Sequence, residues 1–285
     1  MKYYSPNTLD EAIKILSEVE GSIVFAGGTD ILVERRAGKI DPPAVVDIKR
    51  IKELNFIKAK NNKLEIGALT SINTILENEA IPPELEALKD AGKVFGCYEI
   101  RNRATIGGNI AHASPGGEFV STLTALDAIV RLYGPEGTRE IPIQKFFRGA
   151  GKSIRAKTEI ITTLEIPVLP NSASAYFRAS RTDGMDLAIV NCAVMIRENE
   201  NESPIVSAAF GAVAPTPLVL SEVNKLLSEG EIERAKKYLF ENINPRATSL
   251  RATPLSKKIL VTNLLDEAFL KARERLKKSK EEKLK

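Results

Sequence analysis

From Leu9 the apolar positions recur at helical spacing: Leu9, Ala12, Ile13, Leu16 and Val19 follow the capping box Thr8 to Glu11. The period then breaks. Ser22 to Ala26 is a short apolar run that predicts a buried strand, and Gly27-Gly28-Thr29-Asp30 turns it into a helix over Ile31 to Arg36. Ala44 to Ile48 predicts a second strand. Phe56 to Ala59 and Leu64 to Ala68 predict two more around an Asn61-Asn62 turn. Thr70 opens a helix, and Pro82-Pro83 starts another where proline is tolerated.

Residues 96 to 118 form the least regular stretch, with Gly96, Gly107-Gly108 and Pro115-Gly116-Gly117. A helix over Phe119 to Leu126 follows, then strands on either side of the turn at Gly134 to Gly137. A strand over Ile160 to Ile166 is closed by Pro167 and Pro170. Leu169 to Ser174 reads as a linker. Beyond it lie strand patterns at Ala175 to Arg181, Leu187 to Arg197 and Ile205 to Val213, then three helical stretches. The last helix carries Val261, Leu264, Leu265, Ala268, Ala272 and Leu276 on one face. Its stripe ends at Lys277, which predicts fraying over Lys277 to Lys285. Strands and helices do not alternate strictly, so the pattern predicts an α+β fold.

A chain of 285 residues with 43% apolar and 27% charged positions is long enough for about two domains and a real core. The net charge is +4, but Lys271 to Lys285 alone carries +5. The nearly neutral remainder argues against nucleic acid as a partner. Cys97 and Cys192 are too few and too far apart for an iron–sulfur cradle or a disulfide scaffold, and a single histidine, His112, argues against a zinc site. Cys192 lies in an apolar run, as a core residue does. No secretory or membrane-spanning pattern is present in these 285 residues, so a cytoplasmic protein is expected.

Chemistry is suggested by two glycine-rich turns, Phe25-Ala26-Gly27-Gly28-Thr29-Asp30 and Thr105-Ile106-Gly107-Gly108-Asn109. The second continues to Ser114-Pro115-Gly116-Gly117-Glu118. Paired glycines let backbone N–H groups approach a phosphate closely, and two such turns could hold a pyrophosphate between them. Ordinary tight turns would give the same pattern. Gly149-Ala150-Gly151-Lys152-Ser153 imitates the end of a P-loop, but Phe146 stands where that motif needs glycine. No GxGxxG follows a strand. Arg101 and Arg103 either neutralise phosphate or brace the second turn. No paired carboxylates or triad can run hydrolysis, so no catalytic side chain is expected and a cofactor would carry the chemistry.

The sequence resembles the FAD-binding medium subunit of the molybdenum hydroxylases, the xanthine dehydrogenase and carbon monoxide dehydrogenase family. The resemblance rests on AGGTDIL (Ala26 to Leu32), VVDIKRIKEL (Val45 to Leu54), EIGALTSI (Glu65 to Ile72) and IRNRATIGGNIAHASPGGEF (Ile100 to Phe119). FFRG (Phe146 to Gly149), EIITTLEIP (Glu159 to Pro167) and AYFRASRTDGMDLAIV (Ala175 to Val190) continue it in the family's order.

It implies two FAD-contacting loops. One spans Val24, Phe25, Ala26, Gly27, Gly28, Thr29, Asp30 and Ile31. The other spans Thr105, Ile106, Gly107, Gly108 and Asn109, with Ser114 beyond it. It further implies contacts at Glu118, where relatives carry aspartate, at Ile161, and at Arg178, where many carry lysine. Met185 to Leu187 matches a segment near the flavin ring.

The implied fold is an FAD-binding domain over residues 1–168, with subdomains of about 1–55 and 56–168. A smaller domain at 172–276, with a three-stranded antiparallel sheet and helices, follows, then a basic tail at 277–285. The implied partners are a large subunit with the molybdenum cofactor and a small subunit with two [2Fe–2S] clusters, as a heterotrimer or its dimer. FAD would pass electrons from those clusters to an external acceptor. The AGGTD and MDLA segments lean toward the xanthine or nicotinate side of the family. A self-sufficient FAD oxidoreductase and a flavin-free structural subunit are the alternatives.

Overall fold

The computed structural model describes residues 1–182, 185–199 and 202–283. Its first sheet is parallel and has the order β1 (Lys2–Tyr4), β3 (Ala44–Asp47), β2 (Ile23–Phe25). The central β3 is buried at all four positions, as a parallel strand covered on both faces must be. β2 is only half-buried, which corrects the expectation of a buried strand over Ser22 to Ala26: it is an edge strand, and Ile23 and Val24 help line a cleft. Helix α1 (Leu9–Glu18) is capped as its sequence predicts. The Thr8 hydroxyl accepts from Glu11 N at 3.2 Å, and the Glu11 carboxylate accepts from Asn7 N at 2.8 Å. Ala12, Ile13 and Leu16 pack against Val46, Ile48, Ile51 and Leu54. Helix α2 (Ile31–Arg36) buries none of its residues.

The second sheet has five antiparallel strands in the order β4 (Ile57–Lys60), β5 (Lys63–Gly67), β10 (Ile160–Pro167), β6 (Ile129–Gly134), β7 (Gly137–Pro142). Asn61 and Asn62 both take left-handed φ values, 54° and 57°, as a two-residue hairpin of this twist requires. A short hairpin, β8 (Phe147–Gly149) with β9 (Lys152–Ser153), turns at Gly151 (φ +69°), so the P-loop imitation is a β-turn. One side of the five-stranded sheet is covered by α3 (Ile72–Glu77), α4 (Ala87–Val94), α5 (Tyr98–Arg103), α6 (Ile106–His112), α7 (Glu118–Ala125) and α8 (Ile143–Phe146), around Leu64, Ile66, Phe119 and Leu164. On the sheet Arg131 joins Glu65, Glu140 and Glu165 at 2.9–3.2 Å.

The stretch read as irregular is therefore largely helical. Gly107 and Gly108 sit in the first turn of α6, not in a loop. A Cβ on Gly107 would lie 2.5 Å from the Ala68 Cβ and 2.6 Å from its carbonyl oxygen. Close packing of α6 on Ala68, just past the end of β5, thus demands the glycine, and a one-dimensional pattern does not carry that information.

The third sheet is antiparallel, β11 (Ser172–Ala179), β12 (Val190–Asn199), β13 (Glu202–Gly211). β11 starts inside the expected linker, which shortens it. Tyr176, Ala193, Met195 and Ala209 face the core of the five-stranded sheet. Ala175, Cys192, Val194 and Phe210 face α9 (Ser221–Ser228), α10 (Ile232–Asn242) and α11 (Pro254–Lys283). Cys192 is a core residue, and burial pushes its thiol pKa up. α11 stays helical through Lys283, where the fading stripe predicted fraying. Lys278 pairs with Glu274 at 2.8 Å, and Lys280 reaches Glu198 on β12 at 2.6 Å. Among the described residues no helix is long and apolar enough to cross a membrane.

Candidate cofactor-binding site

The fold brings the two glycine turns into contact. A Cβ on Gly27 would fall 2.0 Å from the Arg103 carbonyl oxygen, so only glycine lets the β2–α2 turn rest on the start of the second turn. Gly28 has φ +78°, and a Cβ there would come within 2.6 Å of the Phe25 ring. The Lys49 ammonium braces this turn from below: it lies 4.2 Å from the Phe25 ring centre and donates to Asp47 at 2.6 Å and to Ala26 O at 3.3 Å. Among the described residues, the N–H groups of Gly27 through Ile31 have no protein acceptor.

The second turn is different. Ile106 N donates to Thr70 O, Gly107 N to Ala68 O, Gly108 N to the Thr105 hydroxyl and Asn109 N to Thr105 O, all at 3.0–3.1 Å. Its N–H groups are consumed by the fold, so it offers side chains and a smooth glycine surface rather than a free nest. Arg101 braces this region. Its Nε donates to Asn73 Oδ1 at 3.0 Å and its Nη1 to Phe95 O at 3.1 Å.

Between the turns lies a cleft of about 500 Å³, within the usual size of a small-molecule site. Val24, Ala26, Gly28, Thr29, Asp30 and Ile31 line it from one side, and Thr105, Gly107, Gly108 and Asn109 from the other, with Ile161 at the start of β10. Phe25 and Gly27 support the wall instead. Ile106 is fully buried in the core. Ser114, Glu118 and Arg178 lie outside the lining. Met185 and Leu187 are exposed, and Asp183 and Gly184 beside them lie outside the described residues. His112 Nε2 sits 3.4 Å from Glu34 Oε1 across the mouth.

Sequence reasoning missed Ser22, Glu34, Arg155, Lys157 and Glu159, which also line the cleft. Only Glu159 sits in a motif, at the start of the Glu159 to Pro167 segment, and tertiary contact alone places the others there. Three residues of the lining each carry an orphaned atom: Ser22 Oγ, Asn109 Oδ1 and Arg155 Nε are buried without a protein partner. Orphaned buried polar groups are costly, and a polar ligand would satisfy them. Together with the free N–H groups of Gly27 to Ile31 they suit a dinucleotide with a pyrophosphate. Ile23, Ile40, Ile48 and Ile160 supply apolar walls for its rings. The residues present therefore fit FAD.

Outside the cleft Glu118 and Arg178 satisfy each other. Arg178 Nη1 donates to Glu118 Oε1 at 2.9 Å and to Asp186 O at 2.8 Å, and both side chains are buried. The pair ties α7 to β11. Burial pushes the Glu118 carboxyl up to about 6, more than Arg178 pulls it down. A carboxyl with a raised folded pKa favours the protonated folded state, so its ionisation opposes folding as pH rises from about 4.5 to about 6. We expect this group to remove about 2 kcal/mol of stability across that window, at 1.36 kcal/mol per pKa unit. Urea unfolding at pH 4.5 and 6.5 checks this, and Glu118→Gln is expected to flatten the difference.

The matches to known proteins agree with this geometry. Residues 1–169 match the family described as the FAD binding domain in molybdopterin dehydrogenase, and residues 175–272 match the CO dehydrogenase flavoprotein C-terminal domain. The chain is 32% identical to the glyceraldehyde dehydrogenase medium chain of Sulfolobus acidocaldarius, over 78% of this chain and 79% of that one. It is 31% identical to the nicotinate dehydrogenase FAD-subunit of Eubacterium barkeri, over 79% of each. A solved carbon monoxide dehydrogenase from Hydrogenophaga pseudoflava, lacking the Mo-pyranopterin moiety of its molybdenum cofactor, superposes with a TM-score of 0.91 at 26% identity. That match covers 96% of this chain and 98% of the other. The cleft and both matched regions lead to one assignment: the chain belongs to the family of FAD-binding medium subunits of molybdopterin-dependent dehydrogenases, an oxidoreductase flavoprotein family.

Proposed function

We propose that this chain is the electron-transfer subunit of a heterotrimeric molybdenum hydroxylase. It takes electrons from the iron–sulfur clusters of a small partner subunit and passes them to an external acceptor, while a large partner subunit with the molybdenum cofactor oxidises the substrate. The observation that carries the reading is the cleft itself: two glycine turns in contact, with three orphaned buried polar atoms and five free backbone N–H groups around it. A bound cofactor would carry the chemistry, and the residues of the lining would hold and orient it.

Residues 1–168 would hold the cofactor and residues 172–276 would pack against them. Gly27 to Ile31 would donate backbone N–H groups to the pyrophosphate. Thr29, Thr105 and Asn109 would add side-chain hydrogen bonds, and Val24, Ala26 and Ile161 would bound the rings. Bound FAD would supply a redox centre that takes up and releases electrons in single or paired steps. Glu118 and Arg178 would act by position, holding α7 to the third sheet.

An absorbance spectrum of the purified protein, taken after incubation with FAD and desalting, tests the cofactor reading. Flavin bands are expected to stay with the protein. Co-expression with the two partner subunits then tests electron transfer, because substrate given to the complex should bleach those bands. Retention of flavin without bleaching in an intact, active complex would refute the electron-transfer role. A chain that retains no flavin, alone or in the complex, would be the structural-subunit alternative.

A further inference from the structure

Helix α2 stands over the cofactor cleft with little to hold it. No residue from 28 to 39 is buried, and Leu32 and Val33 are 49% and 64% exposed. A six-residue helix is too short to be stable alone, so it depends on what it packs against. Among the described residues, the backbone hydrogen bonds of residues 28–39 all close within that segment. Leu32 N donates to Gly28 O, Glu34 N to Asp30 O and Lys39 N to Glu34 O. Yet the segment forms one wall of the cleft, through Gly28, Thr29, Asp30, Ile31 and Glu34.

One polar side-chain contact ties this segment to the rest of the fold. Glu34 Oε1 lies 3.4 Å from Nε2 of His112, the last residue of α6. The anchor is firm, because α6 is seated on Ala68 with no room for a Cβ at Gly107. The tie itself is weak: it is long, and the two side chains are 35% and 37% exposed. The ends of the segment are mobile by construction. Gly28 has φ +78° and Gly38 has φ +68°, with open space around the latter. Gly27, just outside, is pinned against the Arg103 carbonyl. A segment with a fixed base, a glycine at each end and nothing buried between opens at lower cost than the body of the fold.

We propose that residues 28–38 form a lid on the cofactor cleft, hinged at Gly28 and Gly38 and latched by Glu34 against His112. What passes beneath the lid rests on the cofactor reading above. Opening breaks the latch and carries Ile31 and Glu34 off the wall. Closing returns them and sets the N–H groups of Asp30 and Ile31 beside the cleft again. The latch is made of the chain's own side chains, so it slows entry of FAD as well as exit.

The test uses the full-length chain. Stopped-flow flavin fluorescence measures uptake of FAD, and dilution of the loaded protein measures its release. Glu34→Ala and His112→Ala should each speed both uptake and release about threefold, as loss of one half-exposed contact predicts. The double variant should be no faster than either single one, because the contact is lost only once. Faster release with unchanged uptake would mean that these side chains touch FAD directly, and effects that multiply would mean that they act separately. Either result overturns the latch. Hydrogen exchange of the flavin-free chain gives a second readout. The amides of Leu32, Glu34 and Ala37 should exchange faster than those of α6, and about threefold faster still in His112→Ala. Exchange as slow as in α6, or unmoved by His112→Ala, overturns the lid. A parent that takes up no FAD yet shows the expected exchange would refute the cofactor reading and support the lid.

Discussion

Gly108→Leu is expected to weaken FAD binding about 100-fold while leaving the fold intact. A Cβ at Gly108 would meet only the Thr105 hydroxyl, at 2.9 Å, and the residue lines the cleft. The larger side chain would occupy space meant for the cofactor, and overpacking a fitted site costs about 3 kcal/mol, or roughly a factor of 100 in affinity. The helix itself would gain, since replacing glycine inside a helix is favourable. Flavin fluorescence titration measures the loss, and circular dichroism checks the fold. Gly27→Ala is the contrasting case. Its Cβ would strike the Arg103 carbonyl, so stability and flavin retention should fall together. If Gly108→Leu bound FAD as the parent does, the cofactor would not lie along the second glycine turn.

Glu118→Ala is expected to cost about 3–5 kcal/mol at pH 7, because it removes the Glu118 carboxylate from the buried Arg178 guanidinium. Glu118→Gln should cost within about 1 kcal/mol, since its amide oxygen can still accept from Arg178. The pH behaviour points the same way: a carboxyl that folding pushes up to about 6 is tolerated in its neutral form. Replacing both partners, as in Glu118→Leu with Arg178→Met, should recover most of the loss, because an apolar pair of similar volume carries no desolvation penalty. Urea unfolding of the three variants separates these outcomes. Equal losses in Glu118→Ala and Glu118→Gln would show that the charge, rather than the acceptor, holds α7 to β11.

Much of this protein was legible along the chain. The capping box at Thr8, the helix at Ile31 to Arg36 and the Asn61-Asn62 hairpin form where the pattern placed them, and the three strands of the second part form within a few residues of it. Each is decided by neighbours within a few residues, through caps, turn conformations and periodicity. The two glycine motifs were equally plain, and so was the family resemblance they carry.

Other features depended on contacts between distant segments. Gly107 looked like a loop glycine and is a helix glycine pressed on Ala68. Ile106 belongs to a conspicuous motif yet turns wholly into the core. Ser22 and Arg155 carry no motif at all, yet both line the cleft and each buries an orphaned polar atom. Glu118 and Arg178, 60 positions apart, find each other rather than the cleft. The sequence by itself determined the local elements and the glycines that permit close approach, because both are short-range backbone properties. Only the tertiary structure decided which N–H groups stay free, which side chains face the cleft and which charges are left without a partner. Those outcomes depend on what each atom meets across the fold, and no local pattern encodes that.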